Sequence, residues 1–316
     1  MPRTRSGRLL NPRLAAATLT AVAAALGALV IGGSAAARTR ASGGVHMNIY
    51  FMPVGGGRPT QLTKNPNIGE DRLAYDPSWS PNGRQMLFTE VLCHFCSSDI
   101  HVMPARPAPG RVWLRHKIGQ GFHPRWSPNR KQIVYVGTSG GIYVMRPDGS
   151  HRRLIAKGGL MDDGPSWSPG GARLAFTRQE SATHWRLYVV KADGTGLRPL
   201  RSGSLAAVNP SWSPSGRKIA FAQQQRSGRW QVVTMRLDGS DRKRVSNGRA
   251  SDSFPVWSPN GRKLAFVRQA GNANAVFTMG AGGGSVRRVS PRTMNAVEPA
   301  WSPRGKLIGF AADLKG

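Results

Sequence analysis

The chain has 316 residues, room for one large domain or two small ones. Its hydrophobic content of 39%, with 39 Gly and 23 Pro, describes a folded, turn-rich protein rather than a disordered one, and two cysteines exclude a disulfide scaffold. Forty-five Lys and Arg oppose 15 Asp and Glu, a formal charge of +30 that attracts polyanions without specificity.

The first segment carries Arg3, Arg5, Arg8 and Arg13, then an apolar run from Leu14 to Ile31, then small residues from Gly32 to Ala37. That order is the order of a secretory signal. Ala35-Ala36-Ala37 offers the cleavage site, with a mature chain starting near Arg38. Left uncut, the run of about 20 residues is long enough to anchor the protein in a bilayer. Basic residues ahead of it hold that end in the cytoplasm. Either way the body is expected to be exported: secreted, periplasmic, or on the extracytoplasmic face of a membrane. Residues 1–37 are thus read as signal peptide or uncleaved anchor, 38–44 as a linker, and 45–316 as the folded body. Membrane contact is expected only through the first of these.

The body is repetitive. Trp79, Trp126, Trp167, Trp212, Trp257 and Trp301 each sit in Pro-x-Trp-Ser-Pro: DPSWSPNGRQMLF, HPRWSPNRKQIVY, GPSWSPGGARLAF, NPSWSPSGRKIAF, FPVWSPNGRKLAF and EPAWSPRGKLIGF. After most of them comes a second block, such as GIYVMRPDGSHRRLI. Pro-x-Trp reads as a first strand. Ser-Pro-x-Gly is turn chemistry, since Pro sets φ and Gly supplies positive φ. An apolar run makes a second strand and the Tyr-Val-Met block a third. Asp-Gly then closes a hairpin into a basic fourth strand. Four strands per repeat of about 40–45 residues fit a propeller blade.

The chain ends complete the count. The sixth repeat stops at Phe310-Ala311-Ala312, before a third strand. The missing half stands at Asn48-Ile49-Tyr50-Phe51-Met52 and Thr60-Gln61-Leu62-Thr63. Strands from both termini would seal the ring and leave no free edge at the seam. The expectation is an all-β, six-bladed propeller with four-stranded blades, and a monomer.

These blocks resemble the TolB-type, WD-like propeller repeat over residues 46–312. The resemblance implies a periplasmic binding component of the Tol-Pal kind; related blades also cover the active site of prolyl-oligopeptidase-type peptidases. Two departures stand out. The family places an α/β domain ahead of the propeller, for which residues 38–45 leave no room. It also uses Asp in WSPDG, where this chain has Asn82, Asn129, Gly170, Ser215, Asn260 and Arg304. The turn face is therefore expected to be basic.

Four groups of residues are candidates for contact. Arg152, Arg153, Arg242, Lys243, Arg244, Arg287 and Arg288 on the fourth strands are candidates for a polyanion, an anionic wall polymer or lipid head groups; the plain alternative is a solvated surface. Asp76, His123, Asn209 and Glu298 stand three residues before a motif tryptophan. They are expected to open the innermost strands at the channel mouth and could hold a cation or a polar ligand; water filling the mouth is the alternative. No other cofactor is expected. Trp185 and Trp230, placed in loops before third strands, could stack on a sugar or peptide; packing over the blade edge is the alternative. Cys93 and Cys96 read as a local disulfide, with free thiols or metal and redox work as alternatives. The motif tryptophans read as packing between blades.

No G-x-S-x-G elbow, H-E-x-x-H or phosphate-binding Gly loop is present. The expected function is a non-catalytic binding or scaffold module for an envelope or secreted protein or peptide. A carbohydrate- or polyanion-binding envelope protein is the alternative, and a propeller hydrolase or lyase the third reading. Nucleic acid is not expected for an exported protein lacking a nucleic-acid-binding motif.

Overall fold

A computed structural model describes residues 47–63, 72–92, 97–105, 115–246, 248 and 250–314. The signal or anchor segment, the linker, and Cys93 and Cys96 lie outside the described residues. Among those described, no helix is long and apolar enough to cross a membrane.

The described chain begins with β1 (Asn48–Pro53) and β2 (Thr60–Gln61). Blade 1 is β3 (Arg72–Trp79), β4 (Gln85–Leu92), β5 (Ser97–Pro104) and β6 (His116–Gln120). Blade 2 is β7 (Phe122–Trp126), β8 (Ile133–Val136), β9 (Ile142–Met145) and β10 (Arg153–Ala156). Blade 3 is β11 (Met161–Trp167), β12 (Arg173–Gln179), β13 (Trp185–Lys191) and β14 (Arg198–Pro199). Blade 4 is β15 (Ala207–Trp212), β16 (Lys218–Gln224), β17 (Trp230–Arg236) and β18 (Lys243–Arg244). Blade 5 is β19 (Asp252–Trp257), β20 (Lys263–Ala270), β21 (Ala273–Gly280) and β22 (Arg287–Arg288). β23 (Met294–Trp301) and β24 (Leu307–Leu314) complete the set.

All six sheets have four antiparallel strands, and the sixth runs β2-β1-β24-β23. Asn48 pairs with Ala312 and Pro53 with Leu307, so the two ends of the chain share blade 6. The six-bladed ring sealed by terminal strands is the architecture the repeats imply.

The blades are joined by apolar packing. The second strands bury Phe88, Phe176, Phe221, Phe266 and Phe310 completely, and Tyr135 nearly so. Each motif tryptophan shares an apolar cluster with residues of the preceding blade: Trp79 with Ile49, Trp126 with Leu87, Trp167 with Val134, Trp212 with Ala175, Trp257 with Ala220 and Trp301 with Ala265. Two also donate an indole N–H backwards, Trp167 to the Arg125 carbonyl at 3.2 Å and Trp301 to that of Val256 at 3.1 Å. The loop placement of Trp185 and Trp230 is corrected: they open β13 and β17. Both are 5% exposed, which fits the packing alternative and leaves no ring face for stacking.

The Ser-Pro-x-Gly turns close on themselves. Asn260 Oδ1 accepts from Ser258 Oγ at 2.8 Å and from the Arg262 N–H at 3.1 Å, and Asn82 and Asn129 repeat this. Asn thus supplies the acceptor that Asp would, without the charge. Asn260→Ala should cost about 1 kcal/mol and Asn260→Asp much less. Chemical denaturation of the two variants checks this; equal stability would deny the turn bonds their role.

Candidate functional site

Each innermost strand carries one residue in left-handed backbone three positions before its tryptophan. These are Asp76 (φ 59), His123 (φ 51), Gly164 (φ 55), Asn209 (φ 53), Phe254 (φ 49) and Glu298 (φ 54). The pairing register breaks at each of them. They are therefore bulge residues inside the strands, not strand openers as expected. A bulge lifts one residue out of the ladder and frees its N–H.

The freed N–H groups are taken up by the preceding blade. The Asp76 N–H donates to Glu298 Oε2 at 2.6 Å, that of His123 to Asp76 Oδ2 at 3.1 Å, and that of Asn209 to Thr177 Oγ1 at 3.1 Å. Side chains of blades 6, 1, 2 and 3 thereby converge. His123 Nε2 lies 3.1 Å from Asp76 Oδ1, and His123 Nδ1 lies 2.5 Å from Asp163 Oδ1. The first contact is an ion pair whose alignment does not make a hydrogen bond at Oδ1. Thr89 Oγ1 donates to Asp76 Oδ2 at 2.9 Å, and an Arg125 guanidinium nitrogen donates to the Asp76 carbonyl at 3.2 Å.

This geometry sets the protonation states. Burial works against the charge of Asp76, but His123, its hydrogen bonds and Arg125 outweigh burial and hold the carboxyl well below the usual range. Burial likewise works against a charged His123; Asp163 and Asp76 prevail and raise it well above an ordinary imidazole. Burial, then the Asp76 charge, push Glu298 up to about 8. At neutral pH the cluster holds an imidazolium facing two carboxyl groups, with a protonated Glu298 beside ionised Asp76.

Asp76, His123 and Glu298 offer ligand atoms within 4.8 Å of one another. Asn209 lies one blade beyond Asp163, with its N–H on Thr177 Oγ1. Asp163, Thr89 and Arg125 complete the cluster and were not singled out from sequence. Asp163 precedes the bulge glycine directly, so an acid beside a positive-φ position was the available sign.

The neighbouring acids serve the blades. Asp162 holds the Arg178 fork at 2.6 and 2.9 Å, and Asp252 holds Arg268 at 2.7 and 2.8 Å. Both guanidiniums lie over aromatic rings of their own blades.

The basic candidates of the fourth strands are mostly engaged too. Arg153 donates to the carbonyls of Asp193 and Ala192, and Arg287 to that of Gly55, each fastening one blade to the hairpin of the next. Arg152 reaches back to Ile118, Arg242 meets Gln223, and Arg288 binds the carbonyls of Ser290 and Pro291. Lys243 and Arg244 form the short exposed β18.

The description "TolB beta propeller domain" matches residues 116–316, more than half of the chain. A TolB homolog of Chlorobium luteolum is 30% identical over 130 residues, 40% of this chain and 28% of the relative. The chain thus matches less than a third of that protein's length. A TolB structure from Agrobacterium tumefaciens superposes with a TM-score of 0.70 at 23% identity, over 85% of this chain and 98% of the other. TolB from Acinetobacter baumannii gives 0.66 at 16% identity, over 81% and 66%. The two structures share the fold, and the family match does the rest: the chain belongs to the TolB beta propeller domain family.

Proposed function

We propose that this protein is an exported, non-catalytic binding module of the cell envelope, taking a protein or peptide partner at the open end of its channel. The observation that carries the reading is the Asp76–His123–Glu298–Asp163 cluster, built from four consecutive blades and held in place by bulge backbone. Its groups face one another and are paired within the cluster: His123 with Asp76 and Asp163, and Glu298 with the Asp76 N–H. Such an array suits the anchoring of a cationic group from a partner better than the attack of a bond. Family membership and the Arg-led apolar first segment support export and a protein partner.

Capture from envelope extract by immobilised protein tests this. A partner retained by the wild type at moderate salt and lost on Asp76→Asn is the expected result. Retention unchanged in that variant would remove the cluster from the binding site.

A second reading rests on one further observation. Asp163 grips the far ring nitrogen of His123, which is how a carboxylate orients a metal-binding histidine. Asp76, His123 and Glu298 would then hold a divalent cation. Titration with Ca²⁺, Mn²⁺ and Zn²⁺ by calorimetry, with proton release measured in two buffers, decides it. Absence of heat for all three ions would discard the reading.

A further inference from the structure

The Ser-Pro-x-Gly turns form a chain of contacts around the ring. A β-carbon on Gly83, Gly171, Gly216, Gly261 or Gly305 would lie 3.5–3.8 Å from the proline in the preceding blade's turn. One of the six turns has no glycine. Blade 2 has Arg130 where the others have glycine, yet it keeps the left-handed backbone at φ 62. Pro81 of the preceding turn therefore shares its surroundings with an arginine in place of a glycine.

Beside that turn lies an open cleft of about 530 Å³, lined by Pro81, Asn82, Arg84, Arg130 and Arg304. The three arginines come from consecutive blades 6, 1 and 2. No acid lines the cleft. Among the described residues, none of the three guanidiniums has a hydrogen bond or ion pair, whereas Arg152, Arg153, Arg287 and Arg288 are tied to backbone carbonyls. Arg304 also replaces the Asn that closes the turns of blades 1, 2 and 5. Two turns thus carry an arginine where the other blades have a small or uncharged residue, and both arginines line the same cleft.

We propose that this cleft binds a phosphate-type oxyanion, held by Arg84, Arg130 and Arg304. Planar guanidinium forks match the oxygens of a tetrahedral phosphate, and the +30 charge of the chain concentrates such anions near the surface. The phosphate could be free or carried by a lipid head group; the recognising chemistry is shared. The site is independent of the Asp76 cluster, lying at the turn end of the innermost strands.

The test is calorimetric titration of the purified protein with inorganic phosphate at low salt, paired with sedimentation on phosphatidylglycerol vesicles and on neutral phosphatidylcholine vesicles. Arg130→Gly restores the pattern of the other five turns and relieves the backbone, so a binding loss cannot be ascribed to misfolding. Arg304→Asn restores the turn acceptor in the same way. Each variant should weaken binding about tenfold or more, while Arg262→Gln, outside the cleft, should not. Phosphate binding without vesicle binding identifies a soluble ligand; vesicle binding lost in Arg130→Gly identifies a lipid phosphate. Binding of neither probe, or binding unaltered by Arg130→Gly, overturns the proposal.

Discussion

Asp76→Ala should destabilise the protein by about 3–5 kcal/mol, the range for breaking one partner out of a buried charge pair. The substitution strands the His123 ring between Asp163 and an empty side, and orphans the Thr89 hydroxyl and the His123 N–H. It also leaves alanine in left-handed backbone, adding roughly 1–2 kcal/mol. Asp76→Asn keeps an acceptor and a backbone-tolerant side chain and should cost less. Denaturant titration at pH 7 separates the two; a loss below about 1 kcal/mol for Asp76→Ala would mean the cluster is not structurally coupled.

The same cluster gives stability a pH dependence of definite sign. Glu298 and His123 have raised folded values, so the stability they contribute is complete below their ordinary values and lost as pH rises. For Glu298 the loss runs from its ordinary value of 4.5 to about 8. Asp76, held low, acts oppositely: its contribution is present above its ordinary value and lost as pH falls through its folded one. Glu298→Gln mimics the protonated acid and cannot ionise. Its Tm should match the wild type below pH 4.5, exceed it increasingly up to about pH 8, and keep a constant margin above that. Parallel Tm curves would rule out the raised Glu298.

Removing residues 47–63 should abolish cooperative folding. Met47, Ile49, Tyr50, Met52 and Leu62 are all buried there. At about 1.5–3 kcal/mol for each such side chain, the loss approaches the whole 5–15 kcal/mol stability of a typical domain. Excision also bares the β24 edge along Leu307–Ala312, a template for aggregation. The expected observations are loss of the sharp thermal transition and high-order species on size exclusion. A truncated protein that melts cooperatively as a monomer would show that blade 6 is dispensable.

Much of the fold was legible because each blade repeats its own local chemistry. Trp-Ser-Pro, the turn glycine and the following apolar strand act within about fifteen residues, where a pattern and its cause coincide. The candidate site was legible only in part. Asp76, His123 and Glu298 could be picked out by position, but their bulge conformation could not. Only Gly164 among the six carries the usual residue for positive φ; Phe254 carries an unlikely one. Trp185 and Trp230 looked available for stacking because burial by a neighbouring element leaves no local trace. The fourth-strand arginines looked free because their carbonyl partners belong mostly to other blades.

From the amino-acid order alone come six blades, four strands in each, and two half-blades that complete one another. The closed ring decides which charges meet. Glu298 reaches Asp76 across 222 residues because closure sets blade 6 beside blade 1. Arg304, Arg84 and Arg130 share a cleft for the same reason. Local propensity can specify a blade; a contact between blade 6 and blade 1 exists only once the termini have joined, and both proposed sites include one.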